Sequence, residues 1–140
     1  MNYDIMDTMV RVAMEAIRNA YTLNGNLAVG ACVLASDGTL YSGCTVDSKI
    51  NDFAMSAEAV AMAKALSDGK REFDSVALIA DIDGYYIPDE LSCKFLESFG
   101  VPEVVLADFD GNIEVAKINE VMPYIQRRKK RNSNNDTLLF

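Results

Sequence analysis

The stretch "FAMSAEAVAMAKAL", residues 53 to 66, holds one carboxylate, Glu58, among alanines, methionines and small aliphatics. A carboxylate buried in such company is costly unless it has a partner or a task. A second stretch, "PDELSCK" at 88 to 94, brings two more carboxylates, Asp89 and Glu90, with the Ser92 hydroxyl and the Cys93 thiol. Paired carboxylates with well-separated pKa values can do acid–base work. Oxygen donors of this kind suit Mg²⁺, Ca²⁺ or Mn²⁺ better than zinc. The chain has no histidine, which removes the usual general base at neutral pH and the commonest metal ligand. Cys93 therefore has no imidazole to activate it, and Lys94 is the adjacent cation. Plainer roles are open to the same residues. Ser56, Asp89 and Ser92 suit helix N-caps, and acids near a helix start complement its dipole. Glu58 could be held by hydrogen bonds from Ser92 or from backbone N–H groups; buried without a cation, it should have a raised pKa.

The elements that must position these groups are legible from periodicity. Met6, Met9, Val10, Ala13, Ile17, Ala20 and Tyr21 recur at helical spacing over residues 3 to 21, with Asn24-Gly25 as punctuation. Two β-prone runs flank Ser36-Asp37-Gly38, a hairpin signal. Residues 55 to 67 read as a helix apolar nearly all round, stopped by Asp68-Gly69 and covered on most sides. "SVALIA" at 75 to 80 fits a central strand. Pro88 is placed to open a helix that ends at Phe99, with Gly100 beyond. "EVVLAD", the Asp110-Gly111 turn and "NIEVAKI" add two strands, and a short helix near Asn119 to Met122 closes the domain. The order α-β-β-α-β-α-β-β-α predicts a mixed sheet with helices on both faces.

Composition limits the classes of function. With 140 residues, half of them hydrophobic, the chain suits one domain with a real core. No apolar run reaches the roughly 18 residues that span a bilayer, and no signal peptide is visible. Cys32, Cys44 and Cys93 are odd in number and widely spaced, which predicts a reducing compartment, hence the cytoplasm, and buried thiols in place of disulfides. The net charge of −8 is uneven. Residues 125–140 carry five cations and one acid, a net of +4, which leaves −12 on residues 1–124. An acidic body disfavours nucleic acid, save weakly through the basic tail, which reads as a flexible, solvated segment.

The strand and hairpin "VGACVLASDGTLYSGCTVD", the Ala57-Glu58 helix, the Pro-led helix ending "FLESFG" and the closing "DGNIEVAKINEVMPY" together resemble the small nucleoside-type cytidine deaminases. The likeness runs from about residue 6 to 124. It implies a three-layer α-β-α domain over residues 1–124 with a mixed five-stranded sheet, followed by the tail at 125–140. It also implies zinc chemistry: three protein ligands, an attacking water in the fourth position, and a glutamate outside the metal shell that shuttles protons. The family reads Cys-Ala-Glu at the first ligand helix and Pro-Cys-x-x-Cys at the second. Here the first is Ser56-Ala57-Glu58 and the second is Pro88-Asp89-Glu90-Leu91-Ser92. The resemblance thus assigns Glu58 the shuttle position and Ser56, Asp89 and Ser92 the metal-ligand positions, while Cys93 falls where the family usually carries an arginine. The family's ribose-binding Asn-Val-Glu becomes Thr45-Val46-Asp47. The expectation is a relative that needs no cofactor and is kept for binding a nucleoside or a protein, assembled as a homo-dimer or tetramer. The alternative is an active hydrolase or deaminase with a rebuilt site using Glu58 and Asp89, the one route by which zinc would enter. The "TLLF" end at 137–140 is expected near a neighbour's site or in another groove.

Overall fold

The computed structural model describes residues 3–23 and 25–121. The expectations placed on Asn24, on the end of the closing helix and on the basic tail lie outside the described residues. The elements run α1 (Tyr3–Ala16), β1 (Val29–Ala35), β2 (Leu40–Cys44), α2 (Ala57–Ser67), β3 (Phe73–Ala80), α3 (Glu90–Ser98), β4 (Glu103–Ala107) and β5 (Ile113–Lys117), with residues 118–121 helical. The order matches the sequence reading. The first helix is shorter than its periodicity suggests: it tightens into a 3-10 turn at Ile17–Asn19 and breaks where Ala20 turns extended.

The five strands form one mixed sheet in the order β2-β1-β3-β4-β5. Only β3 and β4 are parallel, and α3 lies on the crossover between them. β1 is buried along its whole length because helices cover both faces of the sheet, as its unbroken apolar run requires. Its alternate residues divide between two cores. Val29, Ala31, Val33 and Ala35 pack with Ala57, Ala61, Met62 and Ala65 of α2. Cys32 and Leu34 pack with Met9 and Ala13 of α1 on the other side. Each fully buried methionine contributes on the order of 1.5–3 kcal/mol.

Two glycines let the helices touch the sheet. A Cβ on Gly30 would stand 1.9 Å from the Ala13 carbonyl oxygen, and one on Gly43 would stand 2.4 Å from that of Ala57. The first turn of α2, which carries Glu58, is therefore packed directly against the β2 backbone. The expected all-round cover of α2 is only partly met: Ala63, Lys64 and Ser67 are exposed, because this flank faces outward beside the edge strand. Cys44, expected in the core, is only half-buried on that same edge strand.

Candidate functional site

The helix starts are built by capping. Ser56 is the N-cap of α2, and its Oγ accepts from the Ala59 N–H at 3.2 Å. Asp89 is the N-cap of α3, and its Oδ1 accepts from the Ser92 N–H at 2.8 Å. Such caps are worth about 1 kcal/mol each. Two expectations need correction here. Pro88 precedes the cap and does not start the helix, because Asp89 is extended at ψ 174° and Glu90 is the first helical residue. Ser92 is not a cap: it lies in the first turn and supplies the N–H that Asp89 caps. Glu90 pairs with Lys94 at 3.3 Å, four residues on, so this cation already has a carboxylate partner.

Glu58 follows the Ser56 cap by two residues and is completely buried. The hydrogen bonds anticipated from Ser92 or from backbone are not made with good geometry at either carboxyl oxygen. Burial drives its pKa upward. Its own N–H and the Ser56 hydroxyl lie near enough to pull the other way but do not outweigh burial, and the Asp89 charge adds to the rise. Cys93 is also fully buried, with its Sγ 3.8 Å from the Pro88 carbonyl oxygen. Its thiol is pushed up to about 12, first by burial, then by the charges of Glu58 and Asp89. It is a buried core thiol, as its helical setting suggested, and burial disfavours the thiolate that a nucleophile needs.

Sequence reasoning missed Tyr86. Its hydroxyl is pushed upward by burial and then by Glu58, Asp89 and Cys93, so it shares their electrostatic surroundings. The signal available was the Tyr85-Tyr86 pair just ahead of Pro88, whose rings pack against the core on the α2 side of the sheet.

The other two candidate positions lie on the segment after β2. Thr45 Oγ1 accepts from the Val29 N–H at 3.0 Å, which closes the mouth of the hairpin. Asp47 Oδ2 accepts from the Leu23 N–H at 2.8 Å and from Asn26 Nδ2 at 3.1 Å. Both side chains hold the loop that follows α1. They have fold-holding contacts, and a ligand role for them would have to share those oxygens.

The donors do not match what zinc takes. Zinc selects thiolate or imidazole with lone pairs free for the metal. The three ligand positions offer two hydroxyls and one carboxylate and no thiolate or imidazole, and the Ser56 Oγ and Asp89 Oδ1 accept from backbone N–H groups. Among the described residues, no group of three or more His, Cys, Asp or Glu side chains is placed to hold a metal ion. What the arrangement offers is a buried carboxyl without a hydrogen-bond partner, two residues past the Ser56 cap and within electrostatic reach of Asp89 and Tyr86.

No protein-family model matches the chain. The chain is similar to a cytidine deaminase of Sporosarcina psychrophila, 31% identical over 120 residues that cover 84% of this chain and 88% of that protein. It is similar to a cytidine deaminase of Halalkalibacterium halodurans, 26% identical over 118 residues, 82% of this chain and 89% of that one. Among solved structures, a cytidine deaminase from Burkholderia pseudomallei superposes with a TM-score of 0.78 at 27% identity, covering 86% of this chain and 96% of that one.

Proposed function

This chain belongs to the cytidine deaminase family, and from that premise we propose that it binds a ligand at the Glu58 site without turning it over. The observation that carries the reading is the buried Glu58 carboxyl with two unpartnered oxygens. An orphaned buried acid costs stability that a ligand N–H could recover by satisfying it. The relatives are named for cytidine, so a nucleoside with an amino-bearing base is the ligand class to try. Catalysis without a metal is disfavoured on chemical grounds, because nothing among these side chains lowers the pKa of a water as zinc does. The second reading, a rebuilt hydrolase using Glu58 and Asp89, draws on the Asp89 charge felt at Glu58. It is weakened by the commitment of Asp89 to capping α3.

The test measures zinc by elemental mass spectrometry on untagged protein, then incubates the protein with cytidine. Zinc far below one per chain, a cytidine-dependent rise in Tm and no uridine are expected. One zinc per chain with steady uridine formation would overturn the reading. Absence of any Tm shift with cytidine, uridine or their nucleotides would remove the nucleoside ligand from it.

The same reading includes assembly as a homo-oligomer. Tyr21, Val46 and Met55 are joined by β-bridges and exposed, with Ile50 and Phe53 exposed beside them. A surface cavity of about 690 Å³ opens between Val46, Met55, Val60 and Lys64. An apolar patch of this sort at a sheet edge suits a second copy. Light scattering should give a mass of two or four chains, and Phe53→Asp should lower it; a monomer at all concentrations would end this part of the reading. Among the described residues no helix is long and apolar enough to cross a membrane. The three free cysteines suit a reducing cytoplasm.

A further inference from the structure

Glu58 is completely enclosed, so a ligand can reach it only when part of its cover moves. Its surroundings come from different parts of the fold: α2 itself, the start of α3 with Asp89 and Cys93, and the connection from β3 to α3 with Tyr86. α2 is held on β2, where a Cβ at Gly43 would meet the Ala57 carbonyl oxygen at 2.4 Å. α3 carries its own helical bonds and buries Cys93 and Leu96. The connection, residues 81–88, has no regular structure. The Asp81 N–H donates to the Ala28 carbonyl at 3.3 Å and the Ile82 N–H to that of Ala80 at 2.9 Å. Among the described residues, no backbone N–H from Asp83 to Ile87 donates to a backbone carbonyl. Segments with so few backbone bonds open before laddered ones.

The connection is also built to pivot. Asp81 to Gly84 are exposed, and Gly84 has a φ of 80° with nothing near its absent Cβ. Asp89, at the other end, is extended before α3 starts. Between them Tyr85, Tyr86 and Ile87 pack on the core that includes Ala57 and Cys93, and Pro88 is buried. We propose that residues 84–88 are a gate over Glu58, hinged at Gly84 and Asp89 and closed by the Tyr86 ring. The Pro88 carbonyl oxygen, part of the gate, stands 3.8 Å from the Cys93 Sγ, so opening uncovers that thiol together with Glu58. What the gate admits rests on the Glu58 ligand reading; its motion is measurable without any ligand.

Alkylation of the native full-length chain with iodoacetamide, mapped by peptide mass spectrometry, reads the motion. Cys44→Ser removes the half-buried thiol and leaves Cys32 and Cys93. Both are completely buried, and burial first pushes both thiols up to about 12, so a difference in labelling reports access. Cys32 lies in β1 between β2 and β3 and is exposed only when the core opens. Cys93 is expected to react about tenfold or more faster than Cys32, as sub-global opening requires. Its rate should change little with urea below the unfolding transition, because the opening uncovers little surface. Tyr86→Ala should speed Cys93 and leave Cys32 unchanged; Tyr86→Phe, which keeps the ring, should leave both unchanged. Equal rates that rise together with urea would overturn the gate, since Glu58 would then be reached only by unfolding. So would Tyr86→Ala speeding both cysteines alike, or neither. Fast Cys93 labelling with no Tm shift from cytidine would support the gate and remove only the nucleoside.

Discussion

Glu58→Gln is expected to be more stable than the parent chain at neutral pH, because ionising a buried carboxyl that has no partner costs more than burying a neutral amide in its place. Charge is what the substitution removes, because glutamine keeps the shape. The parent's carboxyl is fully buried, has no hydrogen-bond partner, and has a pKa raised by burial and then by Asp89. The folded carboxyl holds its proton to a higher pH than the unfolded one. Between those two values the folded state binds more protons, so stability falls as pH rises. The contribution of Glu58 is therefore complete below the unfolded value of about 4.3 and is lost as pH rises through the folded value. Parent and variant should be equally stable in acid below that lower value, and the advantage of the variant should grow toward neutrality. Urea unfolding across this range reads both effects. A variant less stable than the parent at neutral pH would mean that a counter-charge holds Glu58 ionised, which points back to a metal or a resident cation. Parallel pH profiles would mean that Glu58 does not titrate differently on folding, and the orphaned acid would have to be abandoned.

The second large effect is gain of metal. Ser56→Cys, Asp89→Cys and Ser92→Cys combined in one chain should bind about one zinc, where the parent is expected to bind far less. The three positions are those that the family resemblance assigns to ligands, and two of them are helix N-caps here. Helix N-termini favour thiolates. Without metal the variant should be less stable than the parent by about 2 kcal/mol, since it loses two caps worth about 1 kcal/mol each. Zinc should reverse the order, because metal held by a folded site adds directly to folding free energy, on the order of 10 kcal/mol in small structural sites. The zinc-loaded variant should also lose the Glu58 pH dependence, because a nearby cation lowers a carboxyl pKa. Titration with zinc, followed by metal content after desalting, measures the first effect. If the triple variant holds no zinc while folded, the two helix starts are not set as a metal cradle, and the assignment of ligand positions to Ser56, Asp89 and Ser92 falls.

The site was less legible in the sequence than the fold, and the reasons differ by residue. Capping by Ser56 and Asp89 was readable because an N-cap is a local contact between a side chain and an N–H two or three residues ahead. Ser92 was misread because the same residue types suit both the cap and the first turn, and only backbone dihedrals separate them. Pro88 was misread for the same reason: it stands two positions before Glu90, the first helical residue. The unpartnered state of Glu58 could not be read at all: whether a buried carboxyl finds a donor depends on what α3 and the Tyr86 loop bring to it across the fold. Tyr86 itself has no periodic signal, since it lies in a loop.

Element types and their order were determined by the sequence alone, because hydrophobic period, glycine turns and caps are set by neighbours along the chain. So were the absence of histidine and the placement of a single carboxylate in an apolar helix. Tertiary structure decided what those residues meet. Gly30 and Gly43 look like ordinary strand glycines until α1 and α2 are seen to press on them. Thr45 and Asp47 lie near the candidate site by resemblance, yet their oxygens are engaged by Val29, Leu23 and Asn26, from 16 to 24 residues away along the chain. Burial and partnership are long-range properties: a residue's own type sets its cost of desolvation, and only the packed fold determines whether another group offsets it.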